Sequence, residues 1–219
     1  MKPAAVVAAF ALAACASAAA RADARDDRAW TVIPAMEPGG GLAFEAGTSF
    51  PMHPAPGGLA LVVIDHLWHL APASIQGDWA RPGDTNFVRL TATPADALAY
   101  LHLPELAAGK VDTPDMRFKG VRHELDKPVL PVSFKGRTWR FEVKDKHLSV
   151  TDGQRRQALG WATDPDTVLR VFLAWAGDLD HDGQLDFIIE SDGDDSNDLC
   201  VWLSSRAAPG ELVGKVNCP

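Results

Sequence analysis

The feature that most constrains the fold is an acidic loop at residues 178–186, with the sequence DLDHDGQLD. It places aspartates at its first, third, fifth and ninth positions and a glycine at its sixth. Carboxylates this close repel one another, by about 1 kcal/mol per pair at 4 Å even in bulk water, so the folded loop gains stability from a bound cation. Aspartates at positions 1, 3 and 5, a turn glycine at 6 and a backbone carbonyl at 7 are typical of loops that wrap oxygen ligands around calcium.

The segments on either side of this loop predict strands instead of the helices of an EF-hand. Residues 168–175 precede the loop and residues 185–189 follow it, and both segments are largely apolar. In an EF-hand the twelfth loop position is a bidentate glutamate, whereas here it is Ile189. The pattern therefore predicts a strand-loop-strand calcium site in which Asp186 replaces the terminal glutamate.

Residues 175–189, with the sequence WAGDLDHDGQLDFII, resemble an FG-GAP-type repeat, the calcium hairpin of integrin α-subunit propellers and many bacterial exported proteins. The resemblance implies four side-chain ligands and one carbonyl ligand: Asp178, Asp180, Asp182, Asp186 and the carbonyl of Gln184. It also implies a sharp turn at Gly183. Because a propeller needs several such repeats and this chain has one, the resemblance implies a bound calcium ion and a hairpin but no propeller. The alternative is an acidic turn without a metal.

The acidity of the chain is local. Residues 171–205 contain nine acidic residues and no Lys or Arg, within a chain of net charge −8. Five of the nine follow the loop, where they either complete the coordination, hold a second ion or form a solvated hairpin tip: Glu190, Asp192, Asp194, Asp195 and Asp198. This distribution favours cation binding. The absence of a basic stripe from the sequence argues against a nucleic-acid partner.

Residues 1–24 predict an export signal. Lys2 is followed by a short apolar core at residues 6–12 and by small residues suited to cleavage near positions 22–24. The apolar run is too short for a transmembrane span. Residues 12–15, ending in Cys15, also resemble a bacterial lipoprotein box, which would move cleavage to 14/15 and add a lipid anchor. Both alternatives predict an exported protein that is periplasmic, associated with the outer membrane, or secreted.

When Cys15 of the export signal is left out of the count, two cysteines remain, Cys200 and Cys218. In an oxidising compartment they most simply form one disulfide. It would stabilise the fold by about 3 kcal/mol in the chain-entropy model. One buried and one free thiol is the alternative.

The apolar pattern predicts a mainly β protein with a minor helical part, an α+β fold of antiparallel hairpins. Short apolar runs separated by turn residues predict strands at 59–64, 86–91, 127–134, 138–143, 148–151, 157–162, 168–175, 185–189 and 199–203. Thr93 as N-cap and Pro94 after it predict a helix over residues 97–103. We expect a mixed α/β part at 25–113 and a β-rich part with the calcium loop at 114–219.

The function that these patterns favour is an exported calcium-binding envelope protein, a structural or binding module with an unidentified protein or glycan partner. The alternative is an exported hydrolase braced by calcium, with its chemistry around residues 65–69, DHLWH. His66 and His69 could ligate zinc, but no third histidine at metal-site spacing accompanies them, and the sequence favours surface or capping histidines instead. The sequence also lacks the common hydrolase and nucleotide-binding motifs, so it favours a non-enzymatic role.

Overall fold

A computed structural model describes residues 32–34, 43–45, 58–79, 87–114, 123–125, 129–145, 147–159, 170–192 and 197–217. The strands in these stretches are β1 (Val32–Pro34), β2 (Ala43–Glu45), β3 (Leu59–Ile64), β4 (Leu67–Pro72), β5 (Ser74–Trp79), β6 (Phe87–Thr93), β7 (Ala99–Leu101), β8 (Gly109–Lys110), β9 (His123–Glu124), β10 (Leu130–Phe134), β11 (Arg137–Lys144), β12 (His147–Thr151), β13 (Arg156–Ala158), β14 (Arg170–Gly177), β15 (Asp186–Asp192), β16 (Asn197–Leu203) and β17 (Gly214–Asn217). A 3₁₀ helix, η1 (Ser204–Arg206), follows β16. In the part of the chain described, no helix is long and apolar enough to cross a membrane.

The strands form four antiparallel sheets. A central sheet has the order β17-β16-β15-β14-β9, and a meander of β10-β11-β12-β13 forms a second sheet. A third sheet, β1-β7-β3-β4-β8, comes from the N-terminal part, and β2-β6-β5 form the fourth. The prediction of a mainly β, antiparallel fold is therefore confirmed, and each predicted strand segment overlaps a strand, although the segment at 157–162 shares only two residues with β13.

The predicted helical part is wrong for the residues that the structure describes. Residues 97–103 hold strand β7, which pairs with β1 on one side and β3 on the other. Ala99 and Leu101 face the hydrophobic core, while the Tyr100 hydroxyl donates a hydrogen bond of 2.6 Å to the Pro94 carbonyl. A helix limited to seven residues by Pro104 would be marginal alone. Pairing with two neighbouring strands therefore outweighs the local capping signals.

The central sheet is buried on both faces. One face packs against the β10–β13 sheet, and the other packs against the N-terminal sheet. In β15, Phe187 and Ile189 enter the first interface and Ile188 enters the second. This double burial explains why the central strands have continuous apolar sequences instead of alternating ones.

Aromatic pairs connect the three layers. Phe141 of β11 meets Phe187 edge-on at 4.9 Å between ring centroids, and Trp68 of β4 meets Trp175 at 6.3 Å. A β-bulge between Leu173 and Trp175 directs both Ala174 and Trp175 to the N-terminal sheet. Each fully buried side chain of this size contributes about 1.5–3 kcal/mol.

The predicted boundary near Pro114 stays a prediction. The interface between the central and N-terminal sheets combines residues from both sides of that position, for example Leu70 and Leu101 with Val201. The two parts of the described chain therefore share one hydrophobic cluster.

Gly177 permits a close approach between two layers. A Cβ built on it would lie 2.5 Å from the Asp112 carbonyl oxygen and 2.4 Å from the Trp175 ring. We expect Gly177→Ala to lower the free energy of unfolding by about 3 kcal/mol, because neither neighbour can move without disturbing the core. Gly210→Ala is the control, since its surroundings are open and only its φ of +92° opposes a side chain; it should cost about 1 kcal/mol. Equal losses in urea denaturation would contradict the close approach.

Candidate metal centre

The acidic loop lies at one end of the central sheet, between strands β14 and β15. β14 and β15 form a hairpin whose last strand pair is Gly177 with Asp186. Asp178 leaves β14 and donates its backbone N–H to the Asp112 carbonyl at 2.8 Å. The loop is thus joined to the N-terminal part of the chain at its first residue.

Two leucines anchor the loop. Leu179 and Leu185 are both fully buried. Leu179 packs into the interface with the N-terminal sheet, and Leu185 packs into the interface with the β10–β13 sheet. The loop is therefore fixed from both sides while its polar residues remain at the sheet end.

The loop is closed by hydrogen bonds from its own backbone to aspartate side chains. Gly183 N–H donates to Asp178 Oδ2 at 3.0 Å, Asp182 N–H donates to Asp180 Oδ1 at 3.2 Å, and Gln184 N–H donates to Asp182 Oδ1 at 2.7 Å. Gly183 has a φ of +86°, a conformation in which glycine carries no steric cost. The sharp turn predicted at Gly183 is therefore present.

Three carboxylates converge in this loop. One oxygen from each of Asp178, Asp180 and Asp186 lies within 4.8 Å of the other two. Within the described stretches this is the one group of three or more acidic, histidine or cysteine residues close enough to hold a metal ion. A metal ion can therefore be held here, by carboxylate oxygens.

Asp178 retains an unsatisfied buried oxygen. The residue is 2 % exposed, and its Oδ1 accepts no hydrogen bond from any residue that the structure describes. Its Oδ2, in contrast, accepts from Gly183 N–H and from the Lys135 ammonium. A buried carboxylate oxygen without a donor is costly, and a cation among the three carboxylates would satisfy it.

Asp186 is the most deeply buried member of the group. Its Oδ2 accepts the Leu179 N–H at 2.7 Å and its Oδ1 accepts the Ser204 N–H at 2.8 Å. Burial raises the pKa of Asp186 to about 8, and the negative charge of Asp180 adds to the increase, while the hydrogen bonds from Ser204 and Leu179 oppose it. The hydrogen-bond donors favour the ionised form of Asp186, but without a cation its negative charge is poorly compensated.

The 3₁₀ helix η1 contributes two serines that contact the loop. The Ser204 hydroxyl lies 2.7 Å from Asp182 Oδ2 and 3.1 Å from Asp186 Oδ1, and the Ser205 hydroxyl donates to Asp180 Oδ2. Gly214 allows η1 to lie on β17, because a Cβ there would be 2.0 Å from the Arg206 carbonyl oxygen. The C-terminal part of the chain therefore orients the loop carboxylates.

A second contact comes from the β10–β11 hairpin. Lys135 Nζ lies 2.8 Å from Asp178 Oδ2 and 3.4 Å from Asp112 Oδ2. The hydrogen bond to Asp178 raises the pKa of Lys135, against an opposing effect of burial. On the same hairpin, Arg137 Nη1 donates to the Gln184 side-chain oxygen at 3.3 Å. Residues from all three layers thus meet at the loop.

The structure groups some of the predicted ligands and leaves others outside the group. Asp178, Asp180 and Asp186 converge, whereas the Asp182 side chain lies in the loop but not in that group. Ligation by Asp182 and by the Gln184 carbonyl stays a prediction. Of the second acidic cluster, Asp194 and Asp195 lie outside the described residues.

Sequence reasoning missed five residues that contact the loop: Asp112, Lys135, Arg137, Ser204 and Ser205. Each of these contacts joins residues at least 18 positions apart, the smallest separation being that of Ser204 and Asp186. No local spacing in the sequence therefore connects them. The sequence feature that comes closest to indicating these contacts is the pair of adjacent serines, Ser204 and Ser205, directly after an apolar strand.

The segment proposed for the hydrolase alternative forms a hairpin turn. Asp65 and His66 have φ values of +50° and +66° and occupy the two-residue turn between β3 and β4, where both are exposed. His69 lies in β4, opposite Val62. Two positive φ values are the requirement of a type I′ turn, so this turn accounts for Asp65 and His66. The hydrolase alternative stays a prediction.

Cys200 is buried in the central sheet and is disulfide-bonded. Its predicted partner, Cys218, lies outside the described residues, as do Cys15 and the rest of the predicted export signal. The pairing of Cys200 with Cys218 is therefore still a prediction.

Comparison of the chain with protein-family models, curated proteins and solved structures gives no match in any of the three. The resemblance to FG-GAP-type repeats therefore rests on residues 175–189 alone.

The serine contacts predict a measurable contribution to stability. We expect Ser204→Ala to lower the free energy of unfolding by about 1–2 kcal/mol, because a hydroxyl donor to buried carboxylates is lost while the backbone N–H remains. The measurement is urea denaturation in excess chelator, so that no ion contributes. Ser133→Ala, at an exposed position of β10, is the control and should stay within about 0.5 kcal/mol of the wild type. Identical midpoints for the two variants would contradict the role of Ser204.

Proposed function

We propose that this protein is an exported calcium-binding β protein of the bacterial envelope, in which the ion bound by the 178–186 loop stabilises the fold at the end of the central sheet. It acts as a structural or binding module, not as an enzyme. The observation that carries the proposal is the buried Asp178 Oδ1, which lacks a donor among the described residues and belongs to a group of three converging carboxylates.

The donor set supports a hard cation. All three converging side chains are carboxylates, with no histidine or cysteine among them, and carboxylate oxygens favour calcium, magnesium or manganese over zinc or copper. Calcium accepts six to eight oxygen ligands in flexible geometry, whereas magnesium requires a near-ideal octahedron. The spacing of the loop and its resemblance to FG-GAP-type repeats select calcium among these ions.

The position of the loop supports a structural role. It joins β14 to β15 in the doubly buried central sheet, and it contacts η1 and the β10–β11 hairpin. An ion that binds only the folded chain stabilises it by mass action, by about 2.7 kcal/mol when calcium is at 100 times its dissociation constant. Export would give such a site access to calcium, because calcium is far more available outside the cytoplasm than inside, and the predicted signal at residues 1–24 supports export.

The proposal predicts calcium-dependent stability. The mature protein should melt at a clearly higher temperature in millimolar calcium than in excess chelator, because the ion neutralises the carboxylates of the folded loop. Asp178→Asn, which keeps the side-chain shape but removes its charge, should weaken calcium binding about 100-fold in isothermal titration calorimetry.

The matched control is Asp145→Asn. Asp145 lies at the exposed turn between β11 and β12 with a φ of +49°, a conformation that asparagine also adopts readily. Its substitution should leave calcium affinity unchanged. A melting temperature that does not respond to calcium, in a sample shown by elemental analysis to be free of metal, would reject the proposal.

A further inference from the structure

Lys135 already supplies a cation to the candidate metal centre. It belongs to the two-residue turn of the β10–β11 hairpin, where Phe134 pairs with Arg137. Its Nζ contacts Asp178 Oδ2 at 2.8 Å and Asp112 Oδ2 at 3.4 Å. The residue comes from a different sheet than the loop, 43 positions away from Asp178.

This contact opposes the binding of a divalent ion. Asp178 is a member of the converging group, and its carboxylate already shares its charge with the Lys135 ammonium. A calcium ion bound to the same carboxylate would face a like charge a few ångströms away, in surroundings where Asp178 is almost fully buried and solvent screening is weak. One carboxylate cannot neutralise both cations as well as it neutralises either one.

The Lys135 ammonium can also leave Asp178 for solvent. Its side chain is 42 % exposed, whereas that of Asp178 is 3 % exposed. The flexible four-carbon stem can therefore swing towards water without burying the ammonium elsewhere. Asp112, whose side chain is 59 % exposed, can keep the ammonium close to the loop after it leaves Asp178.

We propose that Lys135 is an internal counter-cation that neutralises Asp178 when the loop holds no metal and is displaced from Asp178 when calcium binds. This inference rests on the proposed calcium site and adds its regulation. Lys135 thereby lowers the calcium affinity of the loop and limits the stability that the protein loses without the ion. The β10–β11 hairpin is consequently linked to Asp178 in the ion-free state and released in the bound state.

The first experiment compares Lys135→Met with the wild type. Methionine keeps an unbranched apolar stem but removes the ammonium. Calcium titration should show about tenfold tighter binding in the variant, and its urea midpoint in excess chelator should fall. Lys144→Met is the matched control, since Lys144 is an exposed residue at the other end of β11 and its substitution changes the net charge equally. It should alter neither quantity.

The outcomes separate this inference from the proposed function. If the wild type binds calcium and Lys135→Met binds it equally or more weakly, the counter-cation role is overturned while the calcium site stands. If only Lys135→Met binds calcium, the role of Lys135 is supported and calcium is rejected as the resident ion of the wild-type protein. If neither binds, both proposals fail.

A second measurement needs no variant. Lys135 of the wild-type protein can be labelled with an amine-reactive acetylating agent and quantified by mass spectrometry, in excess chelator and in millimolar calcium. The ion pair with Asp178 should protect the amine in chelator, so we expect labelling to increase several-fold in calcium relative to Lys144. Equal labelling of Lys135 in the two conditions would overturn its displacement.

Discussion

The double burial of the central sheet is the constraint on which the other features depend. Strands β14, β15 and β16 have apolar side chains on both faces, so each face must be covered by another sheet. The polar residues of the connections between these strands consequently lie at the ends of the sheet. The β14–β15 connection places its aspartates at one end, and the fully buried Leu179 and Leu185 hold them against both interfaces.

This arrangement couples the carboxylate cluster to the packing of all three layers. Asp112 follows β8 of the N-terminal sheet, Lys135 belongs to the β10–β11 hairpin, and Ser204 begins η1 after the central β16. Each of them contacts the loop, so the loop geometry exists only when the layers are packed together. An ion that recognises this geometry binds the folded chain alone, and its binding free energy becomes folding free energy.

Local features of the chain could be predicted from the sequence, and non-local ones could not. The aspartates of the loop were found because their spacing is local, and the strands were found because apolar runs such as Leu59–Ile64 have a length and composition typical of buried strands. The helix over residues 97–103 was wrong because its capping signals are local, whereas β7 is stabilised by pairing with β1 and β3. Lys135 and Ser204 could not be predicted, since sheet topology alone brings them to the loop.

The hydrogen bonds of the loop determine how much stability a bound ion can add to it. Backbone N–H groups of Leu179, Gly183 and Ser204 already satisfy Asp178 Oδ2 and both oxygens of Asp186. The turn is therefore organised by the chain itself, and an ion does not have to fold it. What the described residues leave unsatisfied is Asp178 Oδ1 and the mutual repulsion of three carboxylates. The proposed ion would consequently contribute charge neutralisation at a prepared position, which is the same contribution that the Lys135 ammonium makes in part through Asp178 Oδ2.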